Sequence, residues 1–150
     1  MSAFDDVMAN IEKLQKENKK YYQVFHKDLV DSGLKDKTID KHMSNVEFYL
    51  DEFAAGHLEL NMIEATDAFC LDDFFGYFFI RKCMWSTPAT IKETIAGLKK
   101  FYKSMLKNGY IEKELYETFI ETIKNSREQW IEECRRYNNG EDTMYSDFLF

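Results

Sequence analysis

The sequence predicts an all-α fold, a compact bundle of five or six helices arranged as two packed helical hairpins. Apolar residues recur at three- and four-residue spacing almost throughout the chain. The 150 residues contain one Pro and six Gly, too few interruptions for a sandwich of many short strands. A composition 45% hydrophobic and 31% charged is that of one globular domain with a real core. The expected division is a helical domain over residues 1–137 and an acidic tail over residues 138–150.

The first helix is expected over residues 4–31, with Ile11, Leu14, Tyr21, Phe25 and Leu29 along one side. Its QKENKK stretch is polar all round and marks a break near Asn18. Gly33 then supplies a left-handed stop, and Leu34 the apolar residue that packs back. A second helix begins after Asp36 as N-cap and ends near Gly56. The third, residues 70–84, contains FFGYFFI, apolar on every side and therefore expected at the buried centre. The fourth opens with Thr87 as N-cap and Pro88 at the first helical position, and closes at Asn108-Gly109. The fifth spans residues 112–137, with Phe119, Ile123, Trp130 and Cys134 inward. The expected core joins Ile39, Val46, Leu50, Phe74, Phe78, Ile91, Ile95, Leu98 and Tyr102. The tail ends on Phe148, Leu149 and Phe150, which are expected to dock on their own bundle or on a second copy; a passive tail is the alternative.

A quasi-repeat links two of these helices. Thr38-Ile39 leads to Met43, Val46, Leu50 and Phe53, and 52 residues later Thr90-Ile91 leads to Ile95, Leu98, Tyr102 and Met105. Both stripes follow the same spacing, so two similar hairpins packed on each other are expected.

Several chemistries lack their residues. None of His26, His42 and His57 has a Glu three positions before it, as an inward di-iron pair requires. No Cys-x-x-Cys or His-x-x-x-His occurs, so no zinc or other metal site is expected. The glycines are scattered and read as helix stops, with Gly76 a close-packing position, so no phosphate-cradling loop is present. Asp72-Asp73 reads as first-turn partners of the helix dipole, and His42 as a packed or half-exposed edge residue. Trp85 and Trp130 read as core or junction anchors. No nucleophile stands at a workable spacing from a base, so neither an enzyme nor a cofactor is expected. Cys70, Cys83 and Cys134, odd in number and set in apolar pattern, fit free buried thiols of a cytoplasmic protein. No apolar run approaches the roughly 20 residues of a membrane span, and the acidic N-terminus lacks a signal-peptide pattern.

Charge is unevenly distributed. Residues 87–111 hold Lys92, Lys99, Lys100, Lys103 and Lys107 against Glu93 alone, a local +4 within a net charge of −7. At 100° per residue the five lysines share a sector about 100° wide beside the apolar stripe. Such a sector points to nucleic acid, or is simply a solvated face.

Three segments together resemble a known family: FHKDLVDSGLKDKTIDKHMSNVEFYLDEF, LDDFFGYFFIRK and STPATIKETIAGLKKFYKSMLKNGYI. Gly33-Leu34 followed by Thr38-Ile39, and Thr90-Ile91 followed by Leu98, Phe101-Tyr102, Gly109 and Ile111, are similar to the SAM-like core-binding domain of tyrosine recombinases and phage integrases. The resemblance covers residues 22–111. It implies a helical clamp that lays its two Thr-Ile helices against duplex DNA, through Lys37, Lys41 and Asn45 on the first and Lys92, Lys99 and Lys103 on the second. Lys100 joins them from the lysine sector. The catalytic domain of those enzymes, with its Arg, Lys, His, Arg and nucleophilic Tyr, has no counterpart in these residues, so a stand-alone, non-catalytic relative is expected. Asp40, Glu47, Asp51 and Glu52 on the first Thr-Ile helix oppose phosphate contact. Two functions therefore stand: weak, salt-sensitive association with double-stranded DNA, or a protein-interaction module that keeps the fold without it.

Overall fold

The computed structural model describes residues 2–83 and 86–140. Among them are five helices and no strand. Helix α1 is Ala3–Asp31, a continuous rod of 29 residues. Helix α2 runs as α-helix over Asp36–Glu47, widens into a π-helix over Phe48–Ala55, and ends with a turn of α-helix, Gly56–Leu58. After a 3₁₀ turn, Glu64–Thr66, helix α3 comprises Ala68–Asp73, a π-helical Phe74–Phe78 and Phe79–Lys82. Helix α4 is Pro88–Lys107 and helix α5 is Lys113–Asn138. The expected docking of Phe148, Leu149 and Phe150, and the role of Trp85, fall outside the described residues.

The start of α4 is as the sequence predicts. Thr87 accepts a hydrogen bond from the Thr90 backbone N–H at 3.1 Å, and Thr90 Oγ1 accepts from the Thr87 N–H at 2.7 Å. Gly33 and Gly109 adopt the left-handed φ of +78° and +80° that a side chain resists, and so stop α1 and α4.

The expected break near Asn18 does not occur. Asn18 is buried, and its Nδ2 donates to Asp51 Oδ1 at 2.9 Å. The Tyr22 hydroxyl donates to the same oxygen at 2.8 Å, and Gln15 Nε2 to the Asp51 carbonyl at 3.1 Å. The polar stretch is thus docked by hydrogen bonds where apolar periodicity would show nothing. Burial and the adjacent Asp51 charge push the Tyr22 phenol well above its usual range, so it remains a donor.

Helix α2 ends near Gly56, as expected, but its N-cap and the way it stops differ from expectation. Lys35 is the N-cap and Asp36 the first helical residue, where its carboxylate faces the positive helix end. Gly56 keeps a helical φ of −72°, and the left-handed turn falls at Glu59 instead. Glycine is required at 56 for another reason: a Cβ there would lie 2.9 Å from the Asp51 carbonyl oxygen, which the wide π turn brings close.

The two π segments meet through their rings. Tyr49 and Phe53 lie 4.8 and 5.1 Å from Phe74, and Phe53 lies 4.8 Å from Phe78. Helix α3 is not enclosed, however. Phe69 and Tyr77 are 76% and 42% exposed, and Phe78 is only partly buried. The central position belongs to α4, which packs on α1, α2 and α5. The other expected core residues, Ile39, Val46, Leu50, Phe74, Ile91, Ile95, Leu98 and Tyr102, are buried. Asp72 and Asp73 lie beyond the first turn of α3, and Asp72 Oδ1 accepts the indole N–H of Trp130 at 2.8 Å. Leu98→Ala empties a site with 0% exposure and is expected to cost about 2–5 kcal/mol, read from urea unfolding. A cost under about 1 kcal/mol would overturn the proposed register.

Candidate nucleic-acid interface

The two Thr-Ile helices, α2 and α4, pack against each other. Their crossing is close because Gly97 has no side chain: a Cβ there would lie 3.3 Å from His42 Nδ1 and 3.7 Å from the His42 carbonyl oxygen. Equivalent positions of the quasi-repeat meet at this crossing, since Lys41 Nζ pairs with Glu93 Oε1, 52 residues on, at 3.3 Å. Both partners are about half exposed, so the pair orients the lysine more than it stabilises the fold.

His42 is buried at the crossing rather than half-exposed at an edge. Among the described residues its Nδ1 has no hydrogen-bond partner. Burial lowers its basicity first, and the neighbouring Lys100 and Lys41 ammonium groups lower it further, against a smaller opposite effect of Glu93. The sign for stability follows from linkage. Below the ordinary histidine value of about 6.5 the unfolded chain binds a proton that the folded one resists, so stability falls as pH drops from there towards the folded value. His42→Gln is expected to flatten the pH dependence of the urea midpoint between about pH 7 and pH 5. An unchanged slope would remove His42 as its cause.

The lysine sector of α4 divides in two. Lys92, Lys100, Lys103 and Lys107 are exposed, whereas Lys99, at the edge adjoining the apolar stripe, is half-buried. Lys100, Lys103 and Lys107 line a groove of about 300 Å³ against the last turns of α1, together with Phe25, Asp28 and Ser104. Asp28 is the polar hub of that groove. It accepts from the Ser104 hydroxyl, from Asn108 Nδ2 at 2.9 Å and from Lys107 Nζ at 3.4 Å. The Ser104 bond above all, then Asn108 and Lys107, holds its carboxyl below the usual range. Asp31, which also lines the groove, pairs with Lys27 at 2.8 Å.

On α2, Lys37 is exposed and Asn45 half-buried. Among the described residues Lys37, Lys92, Lys99, Lys100 and Lys103 form no ion pair, while Lys41 and Lys107 are each held by a carboxylate. Of the acids that oppose phosphate contact on α2, Asp51 is turned toward α1 by its bonds to Asn18 and Tyr22. Asp40, Glu47 and Glu52 remain exposed.

Asp28, Ser104 and Asn108 were invisible to sequence reasoning. They are 76 and 80 residues apart, and no local pattern joins the end of α1 to the end of α4. The described residues contain no group of His, Cys, Asp and Glu able to hold a metal ion, and no helix long and apolar enough to cross a membrane. No protein-family model matches the chain, and no curated protein or solved structure shows significant similarity to it.

Proposed function

We propose that this protein associates with double-stranded DNA without catalysis, through the face shared by α2 and α4, in the manner of a recombinase core-binding clamp. The observation that carries the proposal is the packing of the two lysine-bearing helices side by side, with Lys37, Lys92, Lys99, Lys100 and Lys103 upon them in no ion pair among the described residues. Ammonium groups on long stems contact phosphate oxygens and carry little sequence information, so the affinity is weak and sequence-neutral. The outer face of α5 is acidic: Glu114, Glu117, Glu121, Glu128 and Glu132 are all exposed on it. That face repels a duplex, which approaches from the lysine side of α4 instead.

Fluorescence anisotropy with a labelled duplex across a salt series tests this. Five phosphate contacts give a log–log slope near −4.5, which means a loss of roughly 500-fold between about 50 and 200 mM salt. No binding at about 50 mM salt would leave a solvated face. The acidic face of α5 favours a second function, a helical protein-interaction module of the same fold, for which that failed titration would be the first support.

A further inference from the structure

We propose that the first half of α2, residues 36–45, is a pH-gated limb that lifts off α4 when His42 takes up a proton. The limb is lightly held. Between Gly33 and Val46 the buried side chains are Ile39 and His42, with Leu34 and Met43 partly buried against the core. Among the described residues, the one side-chain hydrogen bond from residues 36–45 to another helix is Lys41 to Glu93, a half-exposed pair. No side chain caps the first turn of α2. Gly33, just before it, stands in a left-handed turn with nothing within 4 Å of where a Cβ would lie. Beyond Val46 the same helix is fixed, because Tyr49, Leu50 and Phe53 are at most 1% exposed. A segment with few buried apolar contacts opens at a lower free energy than the whole molecule unfolds.

His42 is the latch. Its Nδ1 is pressed on Gly97 of α4, where a Cβ would lie 3.3 Å away, and among the described residues it has no hydrogen-bond partner. An imidazolium carries an N–H on both nitrogens, so protonation buries a donor with no acceptor beside it. Burial disfavours the charged ring first of all, and Lys100 of α4 and Lys41 of α2 repel a proton further. Glu93 of α4 attracts one more weakly and already holds Lys41. No charged group of α1, which also packs on α2, bears on the ring. Once the limb lifts, the ring meets water and regains its ordinary basicity, so a bound proton favours the open form. The closed form is fully favoured above about pH 6.5 and loses ground as pH falls from there, by up to about 30-fold at about pH 5 for one such group.

Lys37, Lys41 and Asn45 ride on this limb, so acid would also strip contacts from the duplex face. That consequence alone rests on the DNA reading above, and the test of the gate needs no DNA. Amide hydrogen exchange of the full chain, corrected for the intrinsic pH dependence of the rates, is measured at about pH 7 and about pH 5. The amides of residues 39–45 are expected to lose about tenfold in protection at the lower pH. Their exchange should also be indifferent to low urea, the mark of a local opening that exposes little surface. His42→Gln is expected to keep its protection at both pH values. Lys100→Gln, an exposed substitution that leaves the core intact, should shrink the loss by removing one of the two repelling cations. A loss below about threefold in the wild type overturns the gate, as does a loss undiminished in either folded variant. Exchange at residues 39–45 that rises with urea as steeply as at residues 119–134 of α5 means unfolding of the whole molecule, and overturns it equally.

Discussion

Changing Lys92, Lys100 and Lys103 together to Glu is expected to abolish duplex binding at any salt concentration. The three ammonium groups are exposed on one helix and unpaired among the described residues. Their reversal removes three phosphate contacts and adds three repulsions. Each lost contact lowers the magnitude of the salt slope by about 0.9, so the five-contact slope of about −4.5 would fall to about −1.8 even before repulsion acts. Helix content should not change, because the substitutions leave the buried face of α4 intact. An internal control comes with the variant. Lys100 is one of the two cations that lower the basicity of His42, so its replacement by Glu should raise the His42 pKa in an NMR titration. Binding retained within about tenfold of wild type would refute the DNA proposal at this face.

Trp130→Ala is expected to be the most damaging single change to the fold. The indole is 1% exposed, stacks on Phe75 at 4.8 Å between centroids, and donates its N–H to Asp72. It also packs on Gly76, where a Cβ would lie 3.6 Å from the indole Cδ1. Truncation leaves a large cavity between α3 and α5 and should cost about 3–5 kcal/mol. For a domain of this size that lowers the melting temperature by about 10 °C or more. Trp130→Phe separates the contributions, keeping a ring in the site while losing the hydrogen bond. Because Asp72 is exposed, water replaces the lost donor, and the cost of that bond should be only about 1 kcal/mol. A Trp130→Ala protein within about 1 kcal/mol of wild type would mean that α5 is not anchored where the structure places it.

Much of this architecture was legible in the amino-acid order, because the signals involved are local. Thr87-Pro88 marks the start of α4 through capping chemistry that spans three residues, and Gly33 and Gly109 end helices through a backbone conformation proper to glycine. Phe119, Ile123, Trp130 and Cys134 recur at helical spacing and are the buried residues of α5. The lysine sector was readable for the same reason, since five positions on one helix need only its period to be grouped.

What the sequence left undetermined depends on pairs of residues far apart in the chain. QKENKK has no apolar stripe, and only the arrival of Asp51, 33 residues after Asn18, supplies the hydrogen bonds that keep α1 unbroken. Gly56 and Gly97 look like ordinary helix interruptions until the Asp51 carbonyl and His42 are seen pressed against them. His42 is buried and poorly basic because α4 covers it, and Asp28 is a hub because the end of α4 returns to the end of α1. Helical period, caps and charge were therefore determined by the sequence alone, each acting within a turn or two of the chain. Which polar groups are buried, which lysines are held by a carboxylate and that Gly97 lies close against His42 was decided by the tertiary structure, since each depends on the distance to a neighbour far along the chain.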